Sequence, residues 1–78
     1  MPVIEAKCIE RVFSEKEKKE LIQRLTDAVV AVEGEGMRPF TYVLIEETKE
    51  GDWGIGGQPM TAAKVHEATR RGAVARSG

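Results

Sequence analysis

The residue with the most distinctive chemical potential in this sequence of 78 residues is Pro2. While Met1 precedes it, the proline nitrogen is a tertiary amide with neither a proton nor basicity. If Met1 is removed, as is expected before a small second residue, that nitrogen becomes the only secondary amine of the chain. Such an amine can accept a proton, and burial or nearby cations disfavour its charged form. Pro2 is therefore a candidate general base, or an ordinary second residue if Met1 stays.

Few other residue types are available for catalysis or metal binding. The chain has one cysteine, Cys8, and one histidine, His66, whereas a disulfide needs two cysteines and a structural zinc ion needs four ligands. We expect Cys8 to be a small buried residue and His66 to be a surface histidine without a partner. No metal or other cofactor is predicted.

Charge and hydropathy exclude several classes of partner. The chain carries 12 basic and 13 acidic residues, and this balance leaves no basic patch for nucleic acid. No run of about 18 apolar residues is present for a membrane span, and the first residues lack the basic and apolar regions of a signal peptide. We expect a soluble, cytoplasmic protein that binds neither nucleic acid nor membranes.

The apolar pattern predicts a strand followed by a helix, which must position these residues. Apolar and polar residues alternate over Val3–Ile9, as in a half-buried strand. Ser14 and Glu17 form the S-x-x-E capping box that starts a helix. Gly34 or Gly36 is expected to end that helix in a left-handed cap. The apolar residues of the helix recur with helical spacing on one face: Leu21, Leu25, Ala28, Val29 and Val32.

The rest of the sequence predicts a second strand, a hairpin and a short helix. The segment Phe40–Thr48 is rich in β-branched and aromatic residues. Strand, helix and strand make a β-α-β unit with a right-handed crossover and parallel strands. Glycines near Trp53 predict a tight hairpin or bulged loop, and Thr61–Arg71 predicts the helix. The predicted fold class is α+β, with a single domain over residues 1–71 and a frayed tail over 72–78.

The chain is small for a stable monomer. Burial of apolar surface contributes roughly 117 kcal/mol, and the conformational entropy of ordering 78 residues costs about the same. Moreover, one helix covers only one face of a parallel sheet, and parallel sheets are normally covered on both faces. We therefore expect self-association into a homo-oligomer.

Four segments taken together resemble the tautomerase superfamily, and most closely the small 4-oxalocrotonate tautomerase group. They are Met1-Pro2-Val3-Ile4, Ser14-Glu15-Lys16-Glu17-Lys18, Glu46-Glu47-Thr48 and Trp53-Gly54-Ile55-Gly56-Gly57. The similarity covers about residues 2–58. It implies a β-α-β protomer, two of which form a four-stranded dimer, usually assembled three times into a hexamer. It also implies that Pro2 acts as the general base in moving a proton between carbons of an enol or unsaturated keto acid, without a cofactor.

The resemblance also assigns roles in substrate binding. Arg11 takes the place of the first substrate-binding arginine, and Trp53 that of an aromatic wall. Tyr42 stands where relatives of the type species carry a second arginine, which argues against a dicarboxylate substrate. Tyr42 could instead donate a phenolic hydrogen bond to a developing enolate. Arg38 could compensate for the missing guanidinium, or it could be a solvated loop residue.

Two alternatives stay open at the level of the sequence. A hydratase or dehalogenase of the same fold would use a protonated Pro2 as the acid, and either Glu46 or Glu47 could activate water. A non-catalytic oligomeric binding or scaffold protein would result if Met1 is retained, because Pro2 would then have no amine.

Overall fold

The fold is a β-α-β unit followed by a small hairpin and a C-terminal helix. The computed structural model describes the backbone of residues 1–77 and the side chains of residues 1–70. This order confirms the predicted α+β architecture. The elements are strand β1 (Val3–Ile9), helix α1 (Glu15–Glu33), a 3₁₀ helix (Glu35–Phe40), strand β2 (Tyr42–Thr48), strands β3 (Gly54–Ile55) and β4 (Gln58–Pro59), and helix α2 (Ala62–Ser77).

Strands β1 and β2 form a two-stranded parallel sheet. At the start of the sheet, the amide of Tyr42 donates to the carbonyl oxygen of Pro2 at 3.0 Å. At the other end, the amide of Glu10 donates to the carbonyl oxygen of Thr48 at 2.8 Å. The starts of the two strands therefore lie beside each other, and so do their ends, as parallel strands require.

Helix α1 has the predicted beginning and end. The Ser14 amide donates to Oε1 of Glu17 at 2.8 Å, and the Glu17 amide donates to Oγ of Ser14 at 3.1 Å, so both halves of the capping box form. Gly34 ends the helix with φ 98° and ψ 160°. The positive φ requires glycine, but this ψ is not that of the left-handed cap that we predicted.

A 3₁₀ helix lies between the end of α1 and strand β2. It includes Phe40, which we predicted as the first residue of the second strand. Its turns are closed by the bonds from Met37 N to Gly34 O at 3.1 Å and from Thr41 N to Arg38 O at 3.3 Å. These i to i+3 bonds are typical of short 3₁₀ stretches. Because Phe40 belongs to this helix, β2 begins two residues later than predicted, at Tyr42.

The glycine-rich segment forms the predicted hairpin. Strand β3 pairs antiparallel with β4, with Gly54 opposite Pro59 and Ile55 opposite Gln58. The loop between them consists of Gly56 and Gly57, whose φ angles are 57° and 84°. A two-residue loop with positive φ at both positions is a type I′ turn, which matches the twist of the flanking strands.

The C-terminal helix is longer than predicted. Helix α2 begins at Ala62 and ends at Ser77, whereas the sequence predicted Thr61–Arg71. We predicted a frayed tail over residues 72–78. The side chains of these residues, and the whole of Gly78, lie outside the described residues. Within the described part of the chain, no helix is long and apolar enough to cross a membrane. The cytoplasmic location stays a prediction.

The chain divides into two compact units, which we treat separately. The first unit contains Met1–Lys7 and Phe13–Glu46, and the second contains Cys8–Val12 and the residues from Glu47 onwards. Among the side chains that the structure describes, only Ile9 and Ala62 are buried, both in the second unit. Cys8, which we expected to be buried, is half-buried. So little core is consistent with a chain near the lower size limit of stable domains.

Candidate functional site

Pro2 lies at the wall of an apolar cavity in the first unit. The cavity has a volume of about 730 Å³ and lies between the start of β1, helix α1 and the 3₁₀ helix. Met1 lines it as well, so removal of Met1 leaves the amine of Pro2 at the cavity wall. The apolar side chains that complete the lining are Ile4, Leu25, Ala28, Val29, Val32 and Met37.

Glu33 gives this cavity its one ionisable side chain among the lining residues that the structure describes. The two kinds of lining act on an amine in opposite directions. Apolar surroundings disfavour a charged ammonium group because they solvate it poorly, whereas a nearby carboxylate stabilises it. The cavity therefore has the means to adjust the protonation of an amine at Pro2.

Tyr42 is held beside Pro2 at the same end of the sheet. Its amide donates to the carbonyl oxygen of Pro2, and its side chain is 51% exposed. The phenol is therefore open to a ligand, while its backbone is fixed by the sheet. Glu46 and Glu47, further along β2, are also exposed.

Arg38 is engaged by two carboxylates of the first unit. Its Nε donates to Oε1 of Glu35 at 2.6 Å, and its Nη1 donates to Oδ1 of Asp27 at 3.0 Å. The hydrogen bond that Arg38 donates to Glu35, and then the one that it donates to Asp27, raise the pKa of Arg38 above its ordinary value. A substrate carboxylate would have to compete with both groups, so this geometry favours a role in joining the 3₁₀ helix to α1.

Arg11 occupies a turn of the second unit in an unusual backbone conformation. Its φ of 70° is the one positive value at a non-glycine residue in the described chain, and left-handed backbone strains residues with a Cβ. The amide of Val12 donates to the carbonyl oxygen of Ile9 at 3.3 Å and closes the turn. The Arg11 side chain is 77% exposed, with Nη1 3.8 Å from Oε2 of Glu50. The guanidinium is therefore largely available to an anionic ligand.

Trp53 immediately precedes the hairpin of the second unit and is half-buried. Its carbonyl oxygen accepts the amide of Met60 at 2.7 Å, and the amide of Gly51 donates to the carbonyl oxygen of Met60 at 3.2 Å. These bonds hold the backbone on both sides of the indole. Trp53 thus presents part of a large apolar ring from a fixed position.

Glu50 and His66 make contacts at the Arg11 turn that the sequence did not indicate. Oε1 of Glu50 accepts the amide of Ala62 at 2.9 Å, and Nε2 of His66 lies 2.8 Å from the carbonyl oxygen of Val12. His66 is exposed, as predicted, but the expectation that it has no partner is wrong. His66 and Val12 are 54 residues apart, and no local pattern reports such a contact.

The structure thus places the five predicted site residues in two groups. Pro2, Tyr42 and Arg38 belong to the first unit, and Arg11 and Trp53 belong to the second. Among the described residues, no three His, Cys, Asp or Glu side chains are grouped so that they could hold a metal ion.

Comparison with known families shows to which family the chain belongs. A family model described as "Tautomerase enzyme" matches residues 2–63. The chain belongs to the tautomerase family. This membership supports a tautomerase-type function. No curated protein matches the chain significantly.

Solved structures of tautomerase relatives share the fold. A 4-oxalocrotonate tautomerase homologue is 28% identical with a TM-score of 0.67, over 74% of this chain and 89% of its own. The apo form of unfused 4-OT is 34% identical with a TM-score of 0.68, over 76% of this chain and 93% of its own. A protein of methicillin-resistant Staphylococcus aureus is named as a candidate 4-oxalocrotonate tautomerase. It is 33% identical with a TM-score of 0.63, over 74% of this chain and 90% of its own. These relatives support the resemblance inferred from the sequence.

Proposed function

We propose that this chain is a cofactor-free tautomerase in which the amine of Pro2, freed by removal of Met1, is the general base. The amine takes a proton from one atom of a small unsaturated keto acid and returns it to another, so the substrate is isomerised with no net gain or loss of atoms. Family membership supports the reaction class. The single observation that carries the role of Pro2 is its position at the wall of the apolar cavity.

The cavity favours a base because the neutral amine is the active form. Apolar side chains from α1 solvate an ammonium ion poorly, so they favour the neutral amine. The rigid ring of Pro2 fixes the direction of the lone pair, and the hydrogen bond from Tyr42 fixes its backbone.

The remaining roles are proposals built on the same reaction. Arg11 binds the carboxylate of the substrate, for which its exposed guanidinium is suited. Tyr42 donates a hydrogen bond to the oxygen that becomes negative as the enolate forms. Trp53 supplies an apolar wall. Arg38 is a weaker candidate for substrate binding because Asp27 and Glu35 already occupy its guanidinium.

We further propose that the active protein is a homo-oligomer, with the family's hexamer built from three dimers as the expected form. Val3 on strand β1 and Leu44 on strand β2 are 55% and 46% exposed, and exposed apolar side chains of this kind favour an interface.

The decisive experiment combines intact mass with a substitution. Mass spectrometry of the native protein should show that Met1 is absent. Pro2→Ala should then lower kcat/KM for tautomerisation of a simple arylpyruvate by roughly 100-fold or more, the usual contribution of a general base. Gln23→Ala, at an exposed position of α1, is the control and should stay near wild type. Retention of Met1, or unchanged turnover in Pro2→Ala, would refute the role of Pro2.

Glu33 favours the alternative of a hydratase or dehalogenase, and a second measurement tests it. A carboxylate at the cavity stabilises a protonated amine, which a hydratase or dehalogenase would use as its acid. The dependence of kcat/KM on pH separates the two reactions. A base needs the neutral amine, so activity should rise with pH through the pKa of the free amine. An acid needs the protonated amine, so activity should fall as pH rises through that pKa. Retained Met1 with no turnover would instead favour the non-catalytic scaffold.

A further inference from the structure

Helix α2 lies almost wholly beyond the segment that defines the family. The tautomerase model ends at residue 63, whereas α2 begins at Ala62 and continues to Ser77. The helix is therefore an addition to the part of the chain that matches the family. Its first two turns contact the turn that carries Arg11, and these contacts point to a purpose for the addition.

The first contact is a carboxylate shared between the helix and the guanidinium. Oε1 of Glu50 accepts the amide of Ala62 at 2.9 Å, at the first residue of α2. Oε2 of the same side chain lies 3.8 Å from Nη1 of Arg11. The positive end of a helix dipole favours a carboxylate in this place. Glu50 thus links the start of α2 to the Arg11 side chain.

The second contact comes one helical turn later. Nε2 of His66 lies 2.8 Å from the carbonyl oxygen of Val12, the residue after Arg11. A carbonyl oxygen can only accept, so Nε2 carries the hydrogen and donates it. Ala62 and His66 are four residues apart and share one face of the helix. That face therefore contacts the backbone of the Arg11 turn directly, through His66, and the Arg11 side chain indirectly, through Glu50.

The backbone of Arg11 explains why such support is useful. A φ of 70° is unfavourable for a residue with a Cβ and persists only where the surroundings hold it. Glycine would adopt this conformation without strain. An arginine in this place keeps its guanidinium at the apex of the turn, but it requires contacts that prevent the turn from relaxing.

We propose that helix α2 positions Arg11, and that Glu50 and His66 are the positioning residues through which it acts. Neither residue needs to touch the substrate. They hold the turn in the conformation from which the guanidinium binds the substrate carboxylate. This inference rests on the proposed function for the role of Arg11, and the experiment below separates the two.

The test compares variants of the full-length chain at His66. His66→Ala removes the donor, His66→Gln retains an amide N–H at a similar reach, and Thr69→Ala is the control because its hydroxyl bonds within α2. His66→Ala should raise KM for an anionic keto acid about fivefold, the effect of one lost hydrogen bond, with kcat unchanged. His66→Gln should restore KM, and Thr69→Ala should leave it unchanged. An unchanged KM in His66→Ala overturns the proposal.

Two further measurements keep the proposal and the function distinguishable. In an Arg11→Ala background, His66→Ala should cause no further rise in KM, because the coupling passes through Arg11; an equal rise in both backgrounds contradicts positioning. If Arg11→Ala alone leaves KM unchanged, the proposed role of Arg11 in substrate binding is wrong. Hydrogen exchange of the Val12 amide then tests whether α2 supports the turn. Faster exchange in His66→Ala than in Thr69→Ala supports it, and equal exchange overturns it.

Discussion

The carbonyl oxygen of Pro2 accepts the backbone amide of Tyr42 at 3.0 Å. Two residues that the sequence selected for chemistry, 40 positions apart, are thereby fixed at the same end of the parallel sheet. The bond uses only backbone atoms. The side chains of both residues can consequently be changed without removing the contact that places them together, which makes their chemical roles separately testable.

Tyr42→Phe should reduce turnover without disturbing the sheet. The change removes only the phenolic hydroxyl, and with it a donor that we assign to the developing enolate. We expect kcat to fall roughly 100-fold, as for other single oxyanion donors. Steady-state kinetics with an arylpyruvate measures this effect, with far-UV circular dichroism to confirm an unchanged fold. Wild-type kcat in a folded Tyr42→Phe protein would exclude the hydroxyl from the reaction.

Trp53→Ala should move the pH dependence of the reaction. If the indole keeps the site apolar, its loss admits water, stabilises the protonated amine and raises the pKa of Pro2. A base then requires a higher pH, so the rising limb of kcat/KM should shift to higher pH. Trp53→Phe retains an aromatic wall and should shift the limb less. Coincident pH profiles for the three proteins would show that Trp53 does not tune the amine.

Glu15→Gln should lower stability at neutral pH but not in acid. Oε1 of Glu15 lies 2.8 Å from Nζ of Lys18, and the hydrogen bond and charge of Lys18 lower the pKa of Glu15 below its ordinary value of 4.5. A lowered folded-state pKa stabilises the protein above the unfolded value and ceases to do so as pH falls through the folded value. Helix α1 should therefore lose this contribution below about pH 4.5.

Denaturant titrations at several pH values test this expectation. The difference between wild type and Glu15→Gln should be small near pH 7, because the Glu15 side chain is 86% exposed, and it should disappear in acid. Lys16→Gln is the control, since lysine stays charged across this range and its effect should not vanish in the same way. A Glu15→Gln difference that persists unchanged in acid would contradict the assigned pair.

Leu44→Lys should weaken self-association. Leu44 is 46% exposed in the single chain, and a charged side chain at the core of an apolar interface carries an unpaired charge on assembly. Sedimentation should therefore show smaller species than wild type at the same concentration. Gln23→Lys introduces the same charge at an exposed position of α1 and should sediment like wild type. Equal sedimentation of all three proteins would place the interface elsewhere.

Elements governed by neighbouring residues could be predicted from the sequence. Ser14 and Glu17 are three residues apart, so their capping box is visible as a motif. The glycines likewise predicted a helix end at Gly34 or Gly36 and a hairpin or bulged loop near Trp53, because glycine adopts positive φ without strain. The structure selects Gly34 for the helix end and Gly56-Gly57 for the turn. The chemical interest of Pro2 likewise follows from its position next to Met1.

Contacts between distant residues were decided only by the tertiary structure. Asp27 engages Arg38 across 11 positions, although the sequence left Arg38 either free for substrate or solvated. Glu50 reaches Ala62 across 12 positions, and His66 reaches Val12 across 54. The sequence by itself therefore determined the order of strands, helix and hairpin, because these depend on periodicity and local backbone preference. Only the folded chain decided which charged groups meet, because hydrogen bonds depend on distances that sequence spacing does not encode.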